Sequence, residues 1–118
     1  MPRATNAPAS RKRRKRILEQ AKGFRGSRSK LIRQATEAVD RSMRLATIHR
    51  KHKKRDYRAL WIARISAAVR QRDMSYSRFI EGLTKANIGL NRKMLSEIAI
   101  HDEVGFTKIV EASKAQLG

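Results

Sequence analysis

The sequence predicts an all-α protein with a long basic N-terminal helical arm and a small C-terminal helical bundle. Apolar residues recur at helical spacing, and the alternation of every second residue that marks a strand is absent. Neither Gly nor Pro occurs between Ser27 and Glu81, so no strong helix breaker interrupts this stretch. Residues 1–58 hold 20 Lys and Arg against four acids, whereas residues 59–118 hold nine against six.

The large apolar side chains, in contrast to the charges, are concentrated in the second half. Those from Trp61 to Leu117 recur at intervals that suit a buried core. We expect only this half of the chain to build such a core. We therefore divide the chain into the arm, residues 1–58, and a small globular domain, residues 59–118. About sixty residues is near the lower limit for a domain that folds alone.

The arm is predicted to begin with an unstructured tip, residues 1–10, which contains Pro2 and Pro8. Residues 11–22 favour a first helix. The six consecutive cations from Arg11 to Arg16 would repel one another there, so we expect this helix to fray in the free protein. Gly23 and Gly26 then predict a turn.

One long helix, from about 28 to 72, is predicted next. Ser27 or Ser29 can cap its start. Its apolar stripe stops at Ile48 and resumes at Tyr57, so residues 49–56 are polar on all sides, and a bend is allowed there. At 1.5 Å per residue the helix would span roughly 65 Å, so we expect it to project beyond the globular domain.

Three shorter helices complete the predicted bundle, and each starts after a good capping residue. Ser75 would cap helix 76–86, Asn91 would cap helix 92–100, and Asp102 would cap helix 103–116. Their inward-facing side chains are predicted to be Tyr76, Phe79, Ile80, Leu83, Met94, Leu95, Ile98, Phe106, Ile109 and Val110.

The formal net charge of +19 indicates a polyanionic partner, because self-repulsion of this size opposes a compact state. Nucleic acid, an anionic membrane surface or an acidic protein could supply the negative charge. The absence of Cys excludes disulfides and thiolate metal sites. No apolar run approaches the roughly 20 residues of a membrane span. His49 and His52 lie at i and i+3, but a third metal ligand is missing. No cofactor fingerprint occurs, so we expect neither a metal nor another cofactor.

Residues 49–56 favour RNA as that partner. A helix that is polar all round has no core to lie on, and phosphates suit its Lys and Arg residues. Folded RNA can surround such a rod, whereas a duplex touches one side. Phe24, Tyr57 and Trp61 are candidates for stacking on unpaired bases. The spacing of Trp61 nevertheless favours a role as a core anchor.

A specific resemblance is carried by the run KRDYRALWIARIS, Lys54–Ser66, followed by Arg70. It resembles the signature of bacterial-type large-subunit ribosomal protein twenty. Flanking motifs agree in order over essentially the whole chain: Met1–Arg3, Ala21–Phe24 followed by Gly26, Arg28–Ser29, and Ser75–Ile80 followed by Gly82 and Leu83. Asp73 and Met74 depart from the small turn residue, such as Gly, expected in many relatives.

The resemblance implies a structural, non-enzymatic component of the large ribosomal subunit. Such a protein binds the large-subunit rRNA directly, is needed early in subunit assembly and takes no part in peptidyl transfer. Some relatives also repress translation of their own message, so that messenger RNA is a further candidate partner. Other expected partners are neighbouring ribosomal proteins, without a membrane or a homo-oligomer. We expect a cytoplasmic ribosome, and the lack of an obvious presequence favours a bacterial one over an organellar one.

The predicted rRNA contacts combine the basic residues of the arm with positions suggested by the resemblance. For Arg64 and Arg70, contact with RNA and a solvated face stay equally open. For Ser75–Arg78, a phosphate site and a simple helix cap stay equally open. The predicted set is Arg3, Arg11, Lys12, Arg13, Arg14, Lys15, Arg16, Lys22, Arg25, Arg28, Lys30, Arg33, Arg41, Arg44, Arg50, Lys51, Lys53, Lys54, Arg55, Arg58, Arg64, Arg70, Ser75, Tyr76, Ser77 and Arg78.

Three rival functions follow from the same residues. A DNA-compacting protein would bind duplex DNA as well as folded rRNA. A nuclease would use His101 beside Asp102 and Glu103, although capping by Asp102 explains that trio more simply. A membrane-surface peptide is the least favoured, because the most basic segments lack an apolar face.

Overall fold

The computed structural model describes residues 3–118, which form five α-helices and no strand. The predicted all-α class is therefore confirmed. The helices are α1 (Ala7–Gln20), α2 (Ile32–Arg70), α3 (Tyr76–Lys85), α4 (Arg92–His101) and α5 (Glu103–Leu117), and a 3₁₀ turn lies at Gly26–Ser29.

Two compact units divide the chain, Met1–Lys51 and His52–Gly118. Helix α2 supplies its first 20 residues to the first unit and its last 19 to the second. It continues through the polar stretch 49–56 without interruption. The predicted division into an RNA-contacting arm, residues 1–58, and a globular domain, residues 59–118, stays a prediction.

In the first unit, α1 begins at Ala7, four residues before the predicted start. The prediction of an unstructured tip is therefore wrong for residues 7–10, while Met1 and Pro2 lie outside the described residues. Pro8 fits the first turn because an N–H there has no partner within the helix. The predicted turn is confirmed, with Gly23 and Gly26 at φ values of 90° and 67°.

A small apolar cluster holds the first unit together. Ala21, Ala35 and Val39 are buried, and the half-buried Ile17, Leu18 and Phe24 surround them. The expectation that only residues 59–118 build a core is therefore wrong. Small side chains carry part of this packing, because Ala21, just after α1, and Ala35 of α2 are fully buried. Alanine gives a weak signal in the sequence pattern.

The start of α2 also differs from the prediction. The Ser29 hydroxyl donates to the Gly26 carbonyl oxygen at 3.1 Å, so it stabilises the 3₁₀ turn instead of capping α2. The Leu31 N–H donates to the Ser27 carbonyl oxygen at 2.9 Å. Helix α2 then runs from Ile32 to Arg70, shorter at both ends than the predicted 28–72.

In the second unit, α5 packs against α3 and α4. All three predicted caps of these helices are confirmed. Ser75 Oγ accepts from the Arg78 N–H at 3.4 Å, Asn91 Oδ1 accepts from the Met94 N–H at 2.9 Å, and Asp102 Oδ1 accepts from the Gly105 N–H at 2.9 Å. The buried cluster of this unit consists of Ile65, Val69, Met74, Phe79, Leu83, Leu95, Phe106 and Val110.

A close helix contact joins Gly82 of α3 to Ser113 of α5. A Cβ atom at Gly82 would lie 2.6 Å from the Ser113 carbonyl oxygen and would overlap the hydroxyl. The Ser113 hydroxyl donates to the Phe79 carbonyl oxygen at 3.0 Å. Glycine is therefore required for α3 and α5 to approach this closely.

Met94 and Asp73 are two positions of this unit where the sequence departed from the expected pattern or the pattern misled. Met94, predicted to face inward, is 51% exposed, because Leu95 occupies the buried face of α4. Asp73 adopts a left-handed backbone conformation, φ 58°, at the turn after α2. This is the conformation that a glycine would supply, and Asp tolerates it better than most residues do.

Candidate nucleic-acid interface

Every Lys and Arg predicted to contact RNA is exposed. Arg3 precedes α1, and Arg11, Lys12, Arg13, Arg14, Lys15 and Arg16 lie on α1. Lys22, Arg25, Arg28 and Lys30 lie between α1 and α2. Helix α2 carries Arg33, Arg41, Arg44, Arg50, Lys51, Lys53, Lys54, Arg55, Arg58, Arg64 and Arg70, and Arg78 lies in the first turn of α3.

The basic residues of the arm lack acidic partners within the protein. Among residues 3–58 no Lys or Arg forms an ion pair with a carboxylate, whereas Lys85 Nζ lies 2.8 Å from Glu81 Oε1 on α3. The hydrogen bond from Lys85 and the charge of its ammonium lower the pKa of Glu81, and the charge of Arg78 contributes further. The positive groups of the arm therefore remain available to an external anion.

Helix α2 is exposed over four turns, which include its polar stretch 49–56. Every residue from Ala46 to Leu60 is exposed, and this segment holds six Lys or Arg residues and one acid. At about 100° per residue, those cations spread over roughly 200° of the helix circumference. A polyanion could therefore approach this part of α2 from more than one side.

Two open grooves in the first unit gather basic residues that are separated in the sequence. Phe24, Arg25, Arg28 and Arg41 line one groove of about 920 Å³, which also contains Glu37. The sequence could not reveal this grouping, because it depends on how the Gly23–Gly26 turn folds back toward α2.

The second groove, of about 810 Å³, is lined in part by Arg11, Arg14, Lys15 and Lys22. Arg11, Arg14 and Lys15 share one side of α1 through helical spacing, and Lys22 follows after the end of the helix. Both grooves are open to solvent and carry several cations.

The segment Ser75–Arg78 takes part in the structure of the bundle. Ser75 caps α3, as described above, and the Tyr76 hydroxyl accepts a hydrogen bond from Arg92 Nε at 2.7 Å. The Tyr76 ring packs against the buried cluster. The capping interpretation of Ser75 is therefore confirmed, while contact of Ser75, Tyr76, Ser77 and Arg78 with RNA stays a prediction.

Trp61 departs from its predicted role as a core anchor. It is only half-buried and lies outside the apolar cluster of the second unit, which begins on α2 at Ile65. Its ring instead contacts Tyr57, with centroids 6.2 Å apart and planes tilted by 36°. The sequence pattern failed here because the apolar stripe of α2 extends one turn beyond Ile65, the first residue of the helix that the cluster buries.

The acidic and imidazole side chains of residues 3–118 are spread over the surface. His101 Nε2 lies 3.3 Å from Glu97 Oε2 on the exposed surface of α4. Within residues 3–118, no three His, Asp or Glu side chains gather as a metal site would require. The same residues include no helix that is both long and apolar enough to cross a bilayer.

Fold and site together define a small, basic, all-α protein with an exposed cationic segment on a long helix. A sequence model of the family described as ribosomal protein L20 matches residues 3–109. The chain belongs to this family, whose members are structural ribosomal components and not enzymes. The resemblance found in the sequence is therefore confirmed.

Curated relatives match nearly the full length of the chain. The chain is 55% identical over 117 residues to "Large ribosomal subunit protein bL20" of Syntrophotalea carbinolica, covering 99% of each chain. It is 59% identical over 114 residues to the protein of that name from Akkermansia muciniphila, covering 97% of this chain and 90% of the relative. The corresponding protein of Chlamydia pneumoniae is 56% identical over 117 residues, covering 99% and 97%.

Proposed function

We propose that the protein is a structural component of the large ribosomal subunit in the cytoplasm, binds the large-subunit rRNA directly and acts early in subunit assembly. The names of its relatives support the placement in the large subunit. The observation that carries direct RNA binding is the exposed segment Ala46–Leu60, where six cations have no carboxylate partner.

The proposed mechanism is neutralisation of phosphates that converge on the arm. Arg residues bind phosphate oxygens through a planar fork of donors, and Lys residues act as compact point charges. Each contact releases condensed counterions from the RNA, so the affinity should fall steeply as salt rises. RNA segments that would repel one another can then approach on opposite sides of the arm.

Folded RNA fits the distribution of charge better than duplex DNA does. The cations between Ala46 and Leu60 cover roughly 200° of the helix, and a straight duplex would reach only part of that arc. The two grooves of the first unit add further basic surfaces. Single strands and loops of rRNA can enter such grooves, whereas a stiff duplex bends at a cost.

The second unit supplies a folded anchor for α2. Ile65 and Val69 of this helix are fully buried among the side chains of α3, α4 and α5. We propose that this bundle fixes the position of the basic segment and contacts neighbouring ribosomal proteins. Binding to the protein's own messenger RNA would use the same chemistry and stays a prediction.

The experiment compares the affinity of the full chain for large-subunit rRNA and for duplex DNA at equal salt. We expect a large preference for rRNA and a linear fall of log affinity with log salt for both. Comparable affinities would instead support a DNA-compacting protein. For assembly, reconstitution of large subunits without the protein should accumulate incomplete particles, and normal yields would refute an early role.

A further inference from the structure

We propose that Tyr57 and Trp61 form a stacking surface for an unpaired nucleobase, with Lys53 and Arg64 as phosphate partners at its two ends. This inference rests on the proposed binding to rRNA and assigns a base-contacting site within it. All four residues lie on α2 in the second unit.

Helical spacing places three of these side chains in one row. Lys53, Tyr57 and Trp61 follow one another at intervals of four residues, so they share a face of α2. Lys53 Nζ lies 5.9 Å from the centroid of the Tyr57 ring, within the range of a cation–π contact. The Tyr57 and Trp61 centroids are 6.2 Å apart.

Folding leaves this apolar surface uncovered. Tyr57 is 47% exposed, Leu60 is 41% exposed and Trp61 is half-buried. None of the three packs against the apolar cluster of the second unit. Two aromatic rings and a leucine therefore remain in contact with water on a helix whose neighbouring positions are charged, which is unfavourable unless a ligand covers them.

The charges around the rings identify the ligand as a nucleotide. Asp56 is the single acid between residues 53 and 64. The same residues include five cations, Lys53, Lys54, Arg55, Arg58 and Arg64. A nucleotide carries both a flat apolar base and an anionic phosphate, so it offers a partner for the rings and for the cations. Aromatic rings within a basic surface are the usual construction of a single-strand binding site.

Other occupants fit this surface less well. The core of a protein interface is depleted in charged residues, whereas here cations lie at both ends of the apolar stripe and along one side of it. A lipid surface requires a broad apolar helix face, and this stripe is narrow. Bases inside an RNA duplex are already stacked on one another, so the ligand is an unpaired base from a loop, a bulge or an end.

The test uses Trp61 as its reporter, because it is the single tryptophan of the chain. The full chain is titrated with an oligouridylate of about ten nucleotides, a typical length for one such site, and with an abasic oligonucleotide of equal length. We expect the base-bearing strand to quench Trp61 fluorescence and the abasic strand to leave it nearly unchanged. Equal responses to both strands would overturn the inference.

Substitutions separate stacking from charge. Tyr57→Leu should raise the dissociation constant from the quenching titration roughly fivefold to a hundredfold. Tyr57→Phe should leave it nearly unchanged, because the ring carries the contact. Arg55→Gln serves as the control for lost charge and should keep the difference between the two strands. An unaltered titration for Tyr57→Leu would contradict a stacking role of that ring.

The failure of this inference can be distinguished from failure of the proposed function. If the full chain binds rRNA but its fluorescence does not respond to bases, only the stacking site is refuted. If the chain does not bind rRNA, both proposals fall. A photoreactive residue at position 57 in purified large subunits should link to a nucleotide, and links to protein alone would show that another chain covers the rings.

Discussion

The guanidinium of Arg72 lies over the Phe106 ring, with Cζ 5.0 Å from the ring centroid. Its Nε donates to Thr107 Oγ1 at 3.1 Å, and one terminal nitrogen donates to the Ala68 carbonyl oxygen at 2.8 Å. Arg72 therefore joins the end of α2 to α5 within the second unit. Residues of both helices therefore hold this cation in place.

Arg72→Lys should lower the free energy of unfolding by about 1–2 kcal/mol, because lysine cannot reproduce the planar fork or the stacking on Phe106. Urea denaturation of the full chain measures this loss. Arg70→Lys, at a neighbouring exposed position, is the matched control and should stay within about 0.5 kcal/mol of the parent. Equal stabilities of the two variants would refute the structural role of Arg72.

Gly82→Ala should destabilise the second unit by about 1–3 kcal/mol, because the added methyl group would overlap Ser113 and force α3 away from α5. Gly89→Ala is the matched control, since a methyl group there meets no atom within 4 Å. Thermal or urea unfolding distinguishes the two. A harmless Gly82→Ala would mean that the helices can separate without loss of packing.

Trp61→Ala and Phe106→Ala should differ strongly in their effect on stability. Phe106 is fully buried, so its truncation should cost about 3–5 kcal/mol. Trp61 is half-buried and outside the cluster, so its truncation should cost no more than about 1–2 kcal/mol. Similar losses on urea denaturation would restore the interpretation of Trp61 as a core anchor.

Arg55→Gln should reduce the slope of log affinity for rRNA against log salt by about one, the effect of losing one phosphate contact. Lys85→Gln is the control, because Lys85 pairs with Glu81 and lies outside the predicted contacts. Filter binding over a series of salt concentrations gives both slopes. An unchanged slope for Arg55→Gln would show that this side chain faces water in the complex.

Much of the second unit could be predicted from the sequence, because its local signals and its apolar spacing agree. Ser75, Asn91 and Asp102 cap the helices that they were expected to cap. Phe79, Leu83 and most of the other buried residues appeared at helical intervals. Such agreement between capping and packing is what makes a sequence easy to interpret.

The remaining features depend on tertiary packing that no local pattern contains. Trp61 continues the apolar spacing of Ile65, yet it lies outside the cluster in which Ile65 is buried. Ala21 and Ala35 are buried by the fold of the Gly23–Gly26 turn, although alanine is equally common on surfaces. Pro8 belongs to the segment predicted as an unstructured tip, but it occupies the first turn of α1, where proline is tolerated.

The candidate interface was predicted as a set of positions but not as a surface. The cations of α1 and α2 in this set are exposed and have no carboxylate partner, and their contact with RNA stays a prediction. Charge counting could not show that Arg25, Arg28 and Arg41 share a groove with Phe24. That grouping requires the turn between the helices, whose direction is set by contacts distant in sequence.

Site-directed photocrosslinking in purified large subunits tests the central proposal most directly. A photoreactive residue at position 55, on the exposed basic segment of α2, should link to large-subunit rRNA at mappable nucleotides. The same residue at position 108, an exposed position of α5 outside the predicted contacts, provides the comparison. Links from position 55 to protein alone, or to nothing in the subunit, would contradict direct rRNA binding by the arm.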